Sequence, residues 1–217
     1  ERTVFGMASG CKVFTAVGIL NLVERGAFSL DTRGNEIIAD YRVHEAITVR
    51  QLLTHTSGIP DYFDEEVNDD YEELWKDRPC YSMRKSEDFF PLFLDRANKF
   101  EPGSRRSFPD YVREVVFERC GMERTGYYRL DMPPSDAAIG YLPEGDSVRS
   151  NVYSIPIAGG GDGGCFTNGL DMNRFWGALA AGRLLEPGTA QEMLSVQAAD
   201  TGDEKDHYGL GLWISEK

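Results

Sequence analysis

A serine and a lysine near the start of the chain have the spacing of a nucleophile and its base. In the stretch "FGMASGCKVF", Lys12 follows Ser9 at the i+3 position, and residues with this spacing share one face of a helix. A serine at a helix N-terminus meets free N–H groups and a dipole that stabilise developing negative charge. A lysine within hydrogen-bond reach can take the hydroxyl proton, because burial in apolar surroundings lowers the pKa of an amine.

The Ser-x-x-Lys spacing has an ordinary explanation as well. It occurs often by chance on exposed helices, where the serine is an N-cap and the lysine is solvated. Taken as a tetrapeptide alone, the pair fits this explanation better. Its neighbours argue the other way, because Cys11, Val13 and Phe14 surround Lys12 with apolar side chains, a setting consistent with burial.

The surrounding sequence predicts the elements that position this pair. Apolar residues recur at spacings of three and four from Phe14 to Val23, and Gly26 ends the run. We therefore expect a helix that begins at or just after Ser9. The acidic stretch 64–77 is typical of a solvated helix or a lid-like excursion. The last stretch, "HYGLGLWISEK", alternates apolar and polar residues and predicts a strand.

Four other features could carry chemistry, and for each we favour a plainer interpretation. His55 in "LLTHTSGIP" could be a base, but the loop is rich in Ser and Thr, so we expect a structural histidine in a scaffold packed near the nucleophile helix. The run Gly159–Gly164 lacks the endings of phosphate-binding loops and indicates a tight turn where backbone passes close to another group. The carboxylates at 64–73 do not follow a calcium-loop pattern. Cys11 is expected to be a core residue rather than a rival nucleophile.

Composition excludes several classes of function. The formal net charge of -13 disfavours nucleic acids and anionic membranes as partners, because both require basic patches. The four cysteines are scattered without C-x-x-C spacing, which argues against a structural zinc site. No window is long and apolar enough to span a bilayer, and no signal-peptide pattern is visible at the start. No metal or organic cofactor is implied.

Longer stretches of the sequence resemble a known family. The pairing of Ser-x-x-Lys with "ITVRQLLTHTSGIPDYF" is similar to the serine β-lactamase and penicillin-binding-protein family, and especially to its class C, D-alanyl-D-alanine carboxypeptidase and esterase-like branch. Further similar segments occur in the family's usual order: "FEPGSRRSF", "YVREVVFERCGM", "GGGDGGCFTNGLDMNRFWGALAAGRLL" and "HYGLGLWI". The resemblance covers nearly the whole chain and favours the catalytic interpretation of Ser9 and Lys12.

The resemblance implies both a fold and a reaction. The fold is of the α+β class (mixed α/β), with an antiparallel sheet flanked by helices, a mostly helical subdomain and the active site between them. Ser9 would be the acylated nucleophile and Lys12 would help to deprotonate it. The expected enzyme is a serine hydrolase of an amide or ester, acting on a β-lactam, a D-Ala-D-Ala peptide or a small ester. The family implies an extracytoplasmic location. The alternative is a non-catalytic binding or regulatory module that retains the fold.

The sequence also departs from the family pattern. We interpret residues 1–217 as a single β-lactamase-like domain that lacks the usual first strands, the Tyr-x-Asn helix after Phe108, and the late strands after Lys217, which carry the Lys/His-x-Gly motif. A packed domain cannot lose a helix without exposing apolar faces to water. We therefore expect the missing segments to belong to the protein, with a chain break between Phe108 and Pro109.

Overall fold

The chain combines helices with short antiparallel strands, and most of the described helices lie between its first and second strands. The computed structural model describes residues 2–38, 46–57, 59, 70–93, 108–199 and 206–215. The α-helices are α1 (Lys12–Glu24), α2 (Gly34–Ile37), α3 (Val49–Leu53), α4 (Phe90–Phe93), α5 (Phe108–Val112), α6 (Gly169–Ala180) and α7 (Pro187–Met193). The strands are β1 (Phe5–Gly6), β2 (Tyr141–Glu144), β3 (Ser147–Ser150), β4 (Phe166–Thr167), β5 (Ala198–Ala199), β6 (Asp206–Tyr208) and β7 (Trp213–Ser215).

The chain also contains short 3₁₀ segments and one π-type segment. Single-turn 3₁₀ segments cover Ala8–Cys11, Tyr71–Trp75, Cys80–Ser82, Ser86–Phe89 and Asn151–Tyr153. A wide π-type segment, Arg113–Glu118, continues α5. The helix predicted from the apolar spacing after Ser9 is confirmed as α1, and Gly26 ends it at a φ of 70° that suits glycine.

Helix α1 forms the centre of the main core. Its side chains are buried on most of its circumference, from Val13 to Asn21. Phe14 is fully buried and meets Phe117 and Phe175 edge-to-face, at ring-centroid distances of 5.2 and 5.0 Å. Aromatic pairs prefer this geometry because the positive ring edge faces the negative ring face. These contacts fix α1 between the π-type segment and α6.

The strands pair only antiparallel and form three small sheets within the described residues. Strand β1 pairs with β4, β2 pairs with β3 in a hairpin, and β6 lies between β5 and β7. This mixture of helices with antiparallel strands agrees with the expected α+β class. No helix in the part of the chain that the structure describes has the length and apolar character needed to cross a bilayer.

The end of the chain differs from the single strand that alternation predicts. The stretch "HYGLGLWISEK" contains most of β6, which begins one residue earlier, and all of β7, and the two strands pair with each other across a turn at 209–212. Gly211 adopts a φ of 79°, and a Cβ there would lie 2.5 Å from the Cβ of Ala16. The prediction of one strand is therefore wrong, because the chain reverses where its backbone presses against α1.

The junction at Phe108 lies within a helix. Phe108 and Pro109 are consecutive residues of helix α5, and the expected break between them stays a prediction. Helix α5 crosses α1 closely: the Tyr111 hydroxyl donates to the Gly18 carbonyl at 3.3 Å. The adjoining residues 94–107, which include most of the "PGSRRSF" turn, lie outside the described residues.

A second, smaller cluster forms under the acidic stretch. Residues 64–69 lie outside the described residues, and a 3₁₀ segment covers Tyr71–Trp75. Trp75 is only 8% exposed and packs with Cys80, Met83 and Phe89. Of the two alternatives predicted for this stretch, a solvated helix or a lid-like excursion, the solvated helix is wrong for the described part, because Trp75 anchors a 3₁₀ segment in apolar surroundings.

Candidate active site

The pairing of β1 with β4 brings the Ser9 turn next to the glycine-rich loop 159–164. Phe5 lies opposite Thr167, and Gly6 opposite Phe166. The contact continues where the Met7 N–H donates to the Cys165 carbonyl at 2.9 Å. Because β1 runs directly into the Ser9 turn and the glycine-rich loop 159–164 runs directly into β4, this pairing sets Ser9 beside that loop.

Ser9 and Lys12 have the geometry that their spacing predicts. Ser9 lies in the 3₁₀ turn Ala8–Cys11, and Lys12 is the first residue of α1. The Lys12 Nζ donates to the Ser9 Oγ at 2.8 Å. The predicted distance is confirmed, while the catalytic role of the two residues stays a prediction. Ser9 is exposed and Lys12 is half-buried, so the Ser9 side chain is open to solvent.

Lys12 has a second partner that the sequence did not indicate. Its Nζ also donates to the backbone carbonyl of Asp162 at 3.0 Å. An ammonium group has three donors, whereas a neutral amine has two donors and one lone pair. A neutral Lys12 can therefore keep its bond to the Asp162 carbonyl and turn its lone pair to the Ser9 hydroxyl.

The residue before Ser9 has an unusual backbone conformation. Ala8 adopts a φ of 43°, in the left-handed region that costs an L-residue about 1–2 kcal/mol. Such conformations persist only where the surrounding structure holds them, and they cluster at functional sites. Here the strained residue turns the chain sharply between β1 and α1, so that Ser9 stands exposed at the helix start.

The glycine-rich loop is the tight turn that its composition predicts. The Gly160 N–H donates to the Gly163 carbonyl at 2.9 Å and closes the turn. The loop lies close to the Ser9 turn, because a Cβ on Gly163 would lie 3.6 Å from the Ala8 carbonyl oxygen. The loop thus serves as a backbone wall of the site.

His55 lies in the scaffold and pairs with another aromatic residue. Its Nε2 is 3.3 Å from the Tyr208 hydroxyl, and the two ring centroids are 4.7 Å apart. The expected bond from His55 to a neighbouring side chain is thereby confirmed. The scaffold lies against the core: Leu53 is buried there, and its carbonyl accepts from the Gly211 N–H at 2.9 Å.

Cys11, two residues after Ser9, is buried in the core, as expected. Cys11 has no exposed surface, and burial raises the pKa of its thiol. A thiol with a raised pKa holds little thiolate at neutral pH, and the thiolate is the reactive form. Cys11 is therefore a poor rival to Ser9. No cluster of His, Cys, Asp and Glu in the described ranges could hold a metal ion.

Sequence reasoning missed two contributors to the site, the Asp162 carbonyl and Thr15. The Thr15 hydroxyl donates to the Gly161 carbonyl at 2.6 Å. A backbone carbonyl has no sequence signature, so Asp162 could not have been found. Thr15 left a weak signal, because it lies one turn beyond Lys12 on the same face of α1.

Comparison with known proteins agrees with this geometry. The family model described as Beta-lactamase matches residues 1–217. A solved penicillin-binding protein from Bacillus halodurans is 40% identical, with a TM-score of 0.87, over 100% of this chain and 72% of that chain. A D-amino acid amidase from Ochrobactrum anthropi SV3 shares the fold, with 23% identity and a TM-score of 0.74 over 99% of this chain and 67% of that one.

Curated relatives give the same family and show the extent of the match. The putative penicillin-binding protein PbpX of Bacillus subtilis (strain 168) is 23% identical over 98% of this chain and 54% of its own length. The chain thus spans about half the length of the curated relatives it matches. With a family model and a 40% identical structure in agreement, the chain belongs to the β-lactamase family of serine β-lactamases and penicillin-binding proteins.

Proposed function

We propose that the protein is a serine hydrolase that cleaves an amide or ester through an acyl-Ser9 intermediate. The substrate class is a β-lactam, a D-Ala-D-Ala peptide or a small ester. The observation that carries the proposal is the 2.8 Å bond between Lys12 Nζ and Ser9 Oγ, with Lys12 held from its other side by the Asp162 carbonyl. Relatives in the family and structures with the same fold include penicillin-binding proteins and an amidase, which supports hydrolase chemistry.

The geometry supports a two-step mechanism. Lys12 takes the proton of the Ser9 hydroxyl as Oγ attacks the substrate carbonyl carbon. The carbonyl oxygen becomes negatively charged, and the Ser9 N–H at the start of the helix is placed to stabilise it, together with an N–H from a sheet strand that the family implies. The leaving group takes from Lys12 the proton that Lys12 removed from Ser9. Water then attacks the acyl-Ser9 ester, its hydroxyl leaves on the acyl group as a carboxylic acid, and its other proton restores the Ser9 hydroxyl.

We also propose that residues 1–217 are one β-lactamase-like domain lacking segments that a complete member has. These are the first strands, the Tyr-x-Asn helix and the late strands. The Bacillus halodurans structure, of which this chain covers 72%, supports this view. A small molecule or peptide is the expected partner.

A non-catalytic binding module is the second candidate. The feature that favours it is in the sequence: "RRSF" runs directly into "PDYVREVVF", with no Tyr-x-Asn motif between them. The intact Ser9–Lys12 pair argues against this candidate, because a binding module has no need of a lysine bonded to an exposed serine hydroxyl.

Covalent labelling separates the two candidates. A fluorescent penicillin and a fluorophosphonate probe are incubated with the wild type and with Ser9→Ala, and the labelled residue is identified by peptide mass. The hydrolase predicts labelling at Ser9 that Ser9→Ala abolishes. Absence of labelling by both probes in a folded wild type would favour the binding module, and labelling that persists in Ser9→Ala would point to Cys11.

A further inference from the structure

Two side chains of one helix hold two consecutive carbonyls of the glycine-rich loop. Lys12 bonds the Asp162 carbonyl at 3.0 Å and Thr15 bonds the Gly161 carbonyl at 2.6 Å. The two residues lie one turn apart on the same face of α1. The loop is therefore held to the nucleophile helix at two adjacent points, one of which is the lysine that bonds Ser9.

The Thr15 hydroxyl bonds a carbonyl that is distant in the sequence. A threonine within a helix commonly bonds a carbonyl of its own preceding turn. Thr15 instead bonds a residue 146 positions away in the sequence. Thr15 and Gly161 are both half-buried, so a Gly161 carbonyl left without this donor would lose a partner that water replaces incompletely.

The methyl group of Thr15 also lies close to the loop. A Cβ on Gly161 would lie 3.5 Å from the Thr15 Cγ2. The backbone of Gly161 thus packs against the Thr15 methyl group, and the Gly161 carbonyl accepts from the Thr15 hydroxyl. Thr15 sets both the distance and the direction of the loop at the residue just before Asp162.

We propose that Thr15 is a positioning residue that fixes the carbonyl acceptor of Lys12 and thereby the direction of the lysine lone pair toward Ser9. This inference rests on the proposed function and extends it to a residue outside the Ser-x-x-Lys motif. Lys12 can present its lone pair to the Ser9 hydroxyl only while one of its N–H groups has a fixed acceptor. The bond from Thr15 to the neighbouring carbonyl holds that acceptor in place.

The test compares three substitutions. Thr15→Val removes the hydroxyl at nearly constant shape, Thr15→Ser retains it, and Thr54→Val is the matched control. Thr54, the residue that follows α3, also donates its hydroxyl to a backbone carbonyl, that of Arg50 at 3.0 Å, but this carbonyl lies four residues earlier in the sequence and not in the loop. Thermal unfolding verifies that each variant folds. Thr15→Ala, which also lacks the hydroxyl, replaces Thr15→Val if that variant does not fold.

The first measurement is the rate of fluorophosphonate labelling of Ser9 across pH. We expect Thr15→Val to label at least about tenfold more slowly with a displaced pH midpoint, and Thr15→Ser and Thr54→Val to stay within about threefold of the wild type. A wild-type rate and midpoint in Thr15→Val would overturn the proposal. So would a Thr15→Ser variant as slow as Thr15→Val, because the hydroxyl would then not be the cause.

The second measurement is hydrogen exchange of the loop 159–164, which does not depend on activity. We expect exchange at least about tenfold faster in Thr15→Val than in Thr54→Val, because the loop loses an anchor. Equal exchange in the two variants overturns the proposal whether or not the protein labels. If the folded wild type does not label while loop exchange responds to Thr15→Val, the hydrolase proposal fails and the anchoring of the acceptor by Thr15 stands.

Discussion

Gly159 and Gly164 lie against each other at the neck of the loop that carries the Asp162 carbonyl. A Cβ on Gly164 would lie 2.6 Å from the Gly159 Cα, and a Cβ on Gly159 would lie 2.6 Å from the Gly163 carbonyl oxygen. Gly164 also adopts a φ of 86°. The loop that holds Lys12 therefore closes only because neither residue has a side chain.

This contact predicts that Gly164→Ala strongly lowers the free energy of unfolding. The new methyl group meets backbone atoms that cannot rotate away, and alanine at this φ is strained, so we expect a loss of about 2–4 kcal/mol in the free energy of unfolding. Gly161→Ala is the control in the same loop, because its Cβ would meet its nearest neighbour at an ordinary 3.5 Å. Urea unfolding measures both, and equal losses would contradict the close contact.

Replacement of Lys12 tests its role as a base. Lys12→Met removes the amine and Lys12→Arg keeps a charge that cannot accept a proton. We expect both to slow labelling of Ser9 by about 10²–10⁴-fold, the usual contribution of a general base. Lys85→Met, at an exposed position, is the control and should label normally. Normal labelling of Lys12→Arg would mean that charge alone is sufficient.

His55 is predicted to be dispensable for the chemistry. His55 has a φ of 57° and bonds Tyr208, and asparagine tolerates this backbone conformation. We expect His55→Asn to lose about 1 kcal/mol of unfolding free energy through the lost bond and to label Ser9 at the wild-type rate. A folded His55→Asn protein that does not label would instead indicate a Ser–His mechanism.

Asp171 is predicted to be a major determinant of stability. Its carboxylate is fully buried and accepts from the Arg124 N–H at 2.8 Å, the Thr125 hydroxyl at 2.9 Å and the Arg174 guanidinium at 2.9 Å. Asp171→Ala leaves these donors without their acceptor, so we expect a loss of about 3–5 kcal/mol in urea unfolding.

The control for Asp171 is an acidic residue with an exposed partner. Asp131 pairs with Arg129 on the surface, where ion pairs contribute about 0–1 kcal/mol. Asp131→Ala should therefore stay within about 1 kcal/mol of the wild type. A comparable loss in the two variants would show that the buried carboxylate is not the origin of the effect.

Cys120 predicts a loss of stability at alkaline pH. Burial raises the pKa of its thiol from 9.0 to about 11, so the unfolded chain releases this proton at a lower pH than the folded protein does. The contribution of the protonated thiol to the free energy of unfolding is therefore fully present below pH 9 and is lost as the pH rises toward 11.

Urea unfolding at two pH values measures this contribution. Between pH ~8 and ~10.5 we expect the wild type to lose about 2 kcal/mol more of its unfolding free energy than Cys120→Ala does. Identical losses in the two proteins would contradict the raised pKa of Cys120.

The sequence alone determined the features that arise within one or two helical turns. The Ser9–Lys12 distance follows from the i,i+3 geometry of a helix start, and the apolar spacing from Phe14 to Val23 marked the helix that carries it. The cap of α3 is equally local, since the Thr48 side chain accepts from the Gln51 N–H three residues later. These predictions succeeded because each depends on neighbours in the sequence.

Only the tertiary structure decided which distant backbone meets this helix. Lys12 and Thr15 bond carbonyls 150 and 146 positions away, brought there by the pairing of β1 with β4. The reversal at 209–212 likewise follows from the contact of Gly211 with Ala16, which local alternation does not record. A backbone carbonyl is the same in every residue, so its use as a partner depends on how the chain packs and not on the residue type that carries it.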